Sequence, residues 1–174
     1  MELRRKEECR RKANMAELTF DENELIISKT DTQGKITYGN ELFLKLSGYE
    51  EKELLGAPHN IIRHPEMPRV IFKCLWETIR KGEEIYAYVV NRSKCGSYYW
   101  VYANVTPSYD GEGKIVGYYS VRRKPAPKAL ETIRPIYGKL LEAERRGGVT
   151  QAEQMLGEML QPYGGRYDKF IHAL

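Results

Sequence analysis

The second half of the sequence contains three strand-length apolar runs separated by short polar turns. Residues 85–91 read IYAYVVN, residues 98–106 read YYWVYANVT, and residues 115–122 read IVGYYSVR. The connecting segments contain Gly, Ser, Asp and Pro, which favour turns. Three such runs joined by short turns predict an antiparallel meander, on which the rest of the chain must pack.

The first half predicts two more strands followed by helices. Residues 24–30 (ELIISKT) and the following ITYGN indicate two strands around a glycine-containing turn. Asn40 ends the second strand and can cap the next helix. A second short helix precedes a proline-rich segment, and Pro68 can open a third helix that runs to Lys81. The order predicts an α+β fold, a five-stranded antiparallel sheet with helices inserted between strands 2 and 3.

The ends of the chain predict flanking helices. We divide the sequence into an N-terminal helix over residues 1–19, a sheet domain over 20–124 and a C-terminal helical extension over 125–174. Within the extension, apolar residues recur at helical spacing. Pro135 must restart or kink this helix, and the pair Gly147-Gly148 must end it before a further helix.

Charge and composition exclude several classes of protein. The formal net charge is +4, and its basic residues are too dispersed to indicate nucleic-acid binding. No apolar run approaches the roughly 20 residues of a membrane span, so membrane insertion is not predicted. The charged N-terminus lacks the apolar core of a secretory signal. The three cysteines are far apart and form no metal motif, which favours reduced thiols and a cytoplasmic protein.

Three motifs narrow the fold further. The segments PHNIIRHPEMP (58–68), LWETIRKGE (75–83) and NRSKCGSYYWVYANVTP (91–107) resemble the PAS domain of bacterial aerotaxis receptors. The resemblance covers about residues 20–140, roughly the size of one domain. It implies a PAS fold, in which short helices and a five-stranded sheet enclose one ligand cavity.

The resemblance also implies a function. Aerotaxis-type PAS domains bind FAD non-covalently and sense redox state or oxygen. Their receptors usually continue into a membrane segment and a coiled coil, and neither pattern follows here. We therefore expect a stand-alone PAS sensor that signals to a separate chemoreceptor or other signalling protein.

Two residues are candidates for direct contact with the flavin. The amide of Asn91, near the end of the third strand, can hydrogen-bond the polar edge of an isoalloxazine ring. Trp76, on the third helix, can form an aromatic wall; both match family positions thought to touch the ring. The alternatives are a strand-end turn for Asn91 and plain core packing for Trp76.

The resemblance implies a supporting role for four further residues. Arg63 could pair with the pyrophosphate or hold its own loop. His64 is a candidate for supporting the cofactor, for a loop hydrogen bond or for ligating haem. Glu66 stands where family members commonly have aspartate. Asn40 matches a family asparagine near the pocket and can alternatively cap a helix.

The sequence also departs from the aerotaxis pattern. Ile85-Tyr86-Ala87 stands where the family has Trp-Ser-Gly, and Val90 replaces a lysine. These changes on a cavity strand leave haem or a small metabolite open as alternative ligands. A ligand also requires that side chains such as Tyr86 or Tyr119 do not fill the cavity.

Alternation along residues 98–105 separates an inner face from an outer face. We expect the inner set to line the cavity: Tyr99, Val101, Ala103 and Val105. We expect an aromatic outer face formed by Trp100, Tyr102, Tyr118 and Val116. Such a face needs cover, from the N-terminal helix, a second subunit in a homodimer, a receptor, or the chain's own C-terminal helices.

An enzyme is not predicted. His59 and His64 lie near Glu66 in sequence, but the chain has no nucleophile elbow, HExxH motif or P-loop. The rival from another class is a ligand-free PAS module that dimerises or docks on a partner. A visible absorption spectrum of the protein separates these readings.

Overall fold

Five strands form one antiparallel sheet in the order β2-β1-β5-β4-β3. The computed structural model describes residues 15–174. The strands are β1 (Ile26–Thr30), β2 (Ile36–Gly39), β3 (Ile85–Arg92), β4 (Tyr98–Tyr109) and β5 (Ile115–Arg123). The meander β3-β4-β5 brings β5 to the centre, where it pairs with β1. The predicted α+β fold with a five-stranded antiparallel sheet is confirmed.

The helices between β2 and β3 cross the inner face of the sheet. They are α1 (Glu41–Ser47), α2 (Glu51–Leu54), a 3-10 turn (His59–Ile62) and α3 (Arg69–Arg80). Asn40 caps α1, and Gly48 ends it in the left-handed conformation (φ 72°) that glycine adopts without strain. Pro68 directly precedes α3, whose apolar side packs on the core.

Strand register decides which side chains face the interior. Along β4, Tyr99, Val101, Ala103 and Val105 are buried and the residues between them are only half-buried, as predicted. On β5, Ser120 pairs with Val105 and Arg122 with Ala103, so both face the interior together with Tyr118. The expectation that Tyr118 lies on the outer face is wrong. Tyr118 is two residues from Ser120 on the same strand, so its side chain points to the inner face as well.

The C-terminal extension forms a long bent helix and a short one. Helix α4 (Pro127–Leu160) continues through Pro135 and departs from helical geometry at Gly147 and Gly148. A 3-10 turn (Gln161–Tyr163) leads to α5 (Tyr167–His172). The break therefore falls at the glycine pair, as predicted, while Pro135 does not restart the helix.

The C-terminal helices cover the outer face of β3 and β4. The Tyr137 hydroxyl donates a hydrogen bond to the Tyr88 carbonyl, and the Tyr137 ring lies 5.9 Å from that of Trp100. At the other end, the His172 ring packs 4.9 Å from Tyr86. This part of the outer face is thus covered by the chain itself. Of the covers considered for this face, the chain's own C-terminal helices occupy this part, and a homodimer through the same part would require these helices to move away.

Most of the predicted N-terminal helix lies outside the described residues. Of its last part, residues 15–18 are not helical. Glu17 forms a parallel bridge with Tyr98, and the Leu18 amide donates to the Tyr98 carbonyl over 2.7 Å. The segment that enters the domain therefore runs alongside the start of β4.

Candidate ligand cavity

A cavity of about 490 Å³ lies between the inner face of the sheet, helix α3 and residues 58–63. Its volume falls within the range of small-molecule sites, roughly 300–1,000 Å³. Tyr86 and Tyr119 do not line it, because the side chains of both point to the outer face of the sheet. The interior is therefore not filled by the side chains that would have removed a ligand site.

Aromatic side chains form one wall of the cavity. The rings of Trp76 and Tyr118 meet edge to face, with centroids 5.6 Å apart and an interplanar angle of 86°. The guanidinium of Arg80 lies 5.1 Å from the Trp76 ring centroid. A side chain at Gly34 would place its Cβ 2.9 Å from Cη2 of Trp76, so only glycine permits this close approach. These contacts fix the indole at the wall.

Two predicted site residues meet directly. Arg63 and Asn91 form an antiparallel β-bridge, which brings the Arg-His-Pro segment against β3. Both residues line the cavity, as does Trp76. The Asn91 side chain is buried on this wall. Arg63 Nη2 donates to the Met67 carbonyl over 2.9 Å, and this hydrogen bond stabilises the loop of residues 63–67.

The interior end of the cavity contains a buried arginine. Arg122 is 2% exposed, and its Nη2 donates to the Ser28 hydroxyl. Its Nε and Nη1 have no hydrogen-bond partner within the described part of the chain, and neither has the buried Tyr99 hydroxyl. Burial lowers the pKa of Arg122 to about 10 and raises the pKa of Tyr99 to about 12. Arg122 is therefore a charged donor at neutral pH.

Unpaired buried donors are costly. Each typically destabilises the fold by about 1–3 kcal/mol, and more when the group is charged. Arg122 lies on the cavity wall, so an acceptor on a ligand could satisfy its free N–H groups. This is the arrangement expected of a site that is completed by a bound molecule.

His59 supports the same region in its neutral form. Its Nε2 lies 3.1 Å from the Ser28 hydroxyl, and its ring stacks on Phe43 with centroids 5.8 Å apart. Burial lowers the pKa of His59 to about 3, and the nearby charge of Arg122 adds to the effect. A neutral imidazole can therefore share the Ser28 hydroxyl with Arg122 at physiological pH.

Three predicted site residues do not line the cavity. The Asn40 amide is used as a cap, accepting from Ile27 N and Phe43 N. The His64 ring lies 5.6 Å from that of Tyr98, and its Nδ1 accepts from the Glu66 amide over 3.1 Å. Glu66 itself is exposed. These residues can shape the walls, but the structure gives His64 no position from which to ligate haem in the cavity.

The sequence interpretation missed Arg122, Tyr118 and His59 as cavity residues. A signal for Arg122 was present in the strand parity. Once Ala103 is assigned to the inner face, its partner Arg122 must share that face. Only the register of β4 on β5 was lacking.

The cavity wall is strongly cationic. Four basic residues line it: Arg63, Lys73, Arg80 and Arg122. No carboxylate is among the described lining residues. The wall therefore favours a ligand that is rich in hydrogen-bond acceptors or negatively charged. Between Met15 and Leu174, no group of three or more His, Cys, Asp or Glu side chains could hold a metal ion.

This combination defines a class of protein. A five-stranded antiparallel sheet whose inner face, together with helices inserted between β2 and β3, encloses a ligand-sized cavity is the architecture of a PAS sensor domain. The profile of the PAS fold family matches residues 36–122, and the chain belongs to this family. No helix in the described residues is both long enough and apolar enough to cross a membrane.

Relatives agree with this assignment. The aerotaxis receptor of Escherichia coli K12 is 44% identical over 120 residues, which are 69% of this chain and 23% of the receptor. A nitrogen fixation regulatory protein of Klebsiella pneumoniae is 28% identical over 56% of this chain and 20% of its own length. The chain thus spans less than a quarter of these relatives. The predicted relationship to aerotaxis receptors is confirmed.

Solved structures with the same fold include light-sensing domains. One comes from a study of a flavin analogue in a light-oxygen-voltage domain (26% identity, TM-score 0.56) and covers 64% of this chain and 83% of that one. Another is the light state of the LOV domain of the blue-light photoreceptor Aureochrome1 (28% identity, TM-score 0.53), covering 70% and 91%.

Proposed function

We propose that the cavity binds a flavin non-covalently, FAD in particular, and that the domain reports redox state or oxygen to a separate signalling partner. The observation that carries the proposal is the buried Arg122, which lines the cavity together with Asn91 and has two donor atoms without a hydrogen-bond partner among the described residues. A cytoplasmic location remains a prediction from the sequence.

The residues present fit a flavin. Its ring system is flat and apolar, with carbonyl and nitrogen acceptors along one edge. Trp76 and Tyr118 offer an aromatic wall, and Arg122 offers donors. Asn91 can donate and accept, so its amide can adjust to either protonation state of a ring nitrogen. When bound, the flavin would supply reversible electron uptake, which these side chains lack.

The comparisons support a flavin without selecting FAD. A structural neighbour was studied with a flavin analogue, and a sequence relative is an aerotaxis receptor. FAD is preferred here because of the motif resemblance and the cationic wall, which suits a ligand that carries phosphates. Haem is less favoured, since His64 does not line the cavity and the Nε2 of His59, which does, lies 3.1 Å from the Ser28 hydroxyl. The relatives are receptors and regulators, which favours a sensor over an enzyme.

Signal output can begin at Asn91. This residue lies on β3, and its neighbour Val90 pairs with Trp100 on the outer face, beneath the C-terminal helices. A change in the hydrogen bond made by the Asn91 amide would alter the position of β3. The covered outer face would then shift between conformations, and a partner that prefers one of them would read the change.

The test is an absorption spectrum of the purified protein, before and after incubation with FAD. A flavin spectrum that survives desalting is expected. Asn91→Ala should weaken binding or abolish the redox-dependent change, whereas Asn104→Ala, on the outer face of β4, should do neither. A Soret band would support haem instead. A protein that stays colourless after incubation with FAD would support the ligand-free docking module.

A further inference from the structure

Two carboxylates from α4 hold the helix that forms one cavity wall. Glu144 Oε1 accepts a hydrogen bond from the Val70 amide over 2.9 Å, and Glu153 Oε1 lies 2.5 Å from Lys73 Nζ. Val70 and Lys73 lie on α3, which also carries Trp76. Both carboxylates lie beyond residues 36–122, so they are outside the segment that the family profile matches.

Glu144 supplies what the start of α3 lacks. The first turn of a helix has amide N–H groups without intrahelical acceptors. Pro68 precedes this turn and provides no side-chain cap. The carboxylate of Glu144 fills that position from another helix and also suits the positive end of the helix dipole. The extension therefore stabilises α3 at its N-terminus.

Lys73 touches both the cavity and the extension. It lines the cavity near its mouth, where the exposed lining residues Gln33, Asn60 and Arg80 also lie. The side chain of Lys73 is 44% exposed and that of Glu153 is 37% exposed, so solvent reaches both charged groups. Glu77 is a more distant partner, at 3.9 Å.

We infer that Lys73 is a shared cation, for which Glu153 competes with an anionic group of the ligand, such as the phosphate of a phosphorylated flavin. This inference rests on the proposed flavin function. Glu153 then acts as a specificity residue that selectively weakens binding of phosphorylated flavins. In return, binding of such a flavin loosens the second half of α4.

The effect of Glu153 on flavin affinity and the effect of the flavin on α4 are two expressions of the same coupling free energy. If Glu153 lowers the affinity for a phosphorylated flavin by some factor, that flavin weakens the Lys73–Glu153 pair by the same factor. A half-exposed ion pair is worth little, so the expected factor is about two- to fivefold. This is small enough to be reversible and large enough to measure.

Affinity for FAD and for riboflavin, which lacks a phosphate, tests the inference. Glu153→Gln should tighten FAD binding about two- to fivefold and leave riboflavin binding unchanged. Lys73→Gln should weaken FAD binding by a similar factor. In the double variant, Glu153→Gln should add nothing, because its effect acts through Lys73. Glu131→Gln, an exposed change elsewhere on α4, should be silent.

Hydrogen exchange provides the second measurement. FAD should accelerate amide exchange in residues 149–160, and Glu153→Gln should reproduce this acceleration without ligand. Equal effects of Glu153→Gln on FAD and riboflavin would overturn the inference, as would FAD binding without any change in exchange. Both results would leave the flavin site intact. If the absorption spectrum shows that no flavin binds, the proposed function fails and this inference fails with it.

Discussion

The phenolic oxygen of Tyr137 donates a hydrogen bond of 2.5 Å to the backbone carbonyl of Tyr88. Tyr137 is buried on α4, and its oxygen also lies 3.4 Å from the Tyr167 hydroxyl of α5. Burial raises the pKa of Tyr137, so the phenol remains a proton donor at neutral pH. Tyr88 and Asn91 are on the same strand, so this bond ties the C-terminal extension to the strand that carries a cavity residue.

Tyr137→Phe should therefore lower the free energy of unfolding by about 1–2 kcal/mol, because a buried carbonyl loses its donor. Chemical denaturation measures the change. Tyr38→Phe is the matched control, since Tyr38 is 44% exposed on β2 and should change stability by no more than about 0.5 kcal/mol. Equal stability of the two variants would show that the extension is not held by this bond.

Arg122→Met should separate ligand binding from stability. Methionine replaces much of the buried volume and removes the two unpaired donors together with the hydrogen bond from Nη2 to Ser28, so the stability of the unliganded protein should change by no more than about 1 kcal/mol. Flavin affinity should fall about 10- to 100-fold, the usual value of hydrogen bonds from a charged group. Titration with FAD and denaturation of the unliganded protein measure the two effects.

The neighbouring Arg123 provides the control for this experiment. Arg123 is exposed at the end of β5, and its side chain points to the opposite face of the sheet from that of Arg122. Arg123→Gln should leave FAD affinity and stability near wild-type values. A large loss of stability in Arg122→Met without loss of affinity would show that the arginine is structural.

Local sequence signals predicted the fold well because they depend on neighbouring residues. Asn40 as a cap, Gly48 as a helix end and the glycine pair in α4 each act within one or two turns of chain. Tyr118 was assigned to the wrong face because inner or outer parity on β5 depends on its register with β4. That register is a long-range property that the β5 residues do not contain.

The site was harder to predict than the fold for the same reason. Arg63, Trp76 and Asn91 reach the cavity, and the first and last of them meet through a bridge between distant segments. His64 and Glu66 follow Arg63 within three positions, yet neither lines the cavity. The pair Lys73 and Glu153, separated by 80 positions, carries no sequence signal at all.

Tryptophan fluorescence can locate the ligand, because the chain has only two tryptophans, Trp76 and Trp100. Trp76 lines the cavity, whereas Trp100 lies on the outer face against Tyr137. In Trp100→Phe protein, added FAD should strongly quench the remaining emission, since a flavin beside an indole accepts its excitation or an electron. In Trp76→Phe protein, the emission of Trp100 should fall less. Equal quenching in both variants would argue against binding in the cavity.

The pH dependence of stability should report the buried imidazole of His59. Its pKa is about 3 in the folded protein and 6.5 when unperturbed. Between these values, the unfolded chain binds a proton that the folded protein excludes, so acid favours unfolding. The contribution of His59 to stability is therefore complete above about pH 6.5 and is lost as the pH falls toward 3, by at most about 1.4 kcal/mol per pH unit.

His59→Gln should remove this dependence while keeping a polar partner for the Ser28 hydroxyl. Between pH 7 and pH 5, the wild type should lose up to about 2 kcal/mol more unfolding free energy than the variant. Denaturant titrations at several pH values measure the difference, and carboxylates that titrate in both proteins cancel from it. Parallel pH profiles for the two proteins would mean that the folded protein accepts the proton on His59 without cost. His59 would then not be the neutral imidazole described beside Ser28 and the charged Arg122.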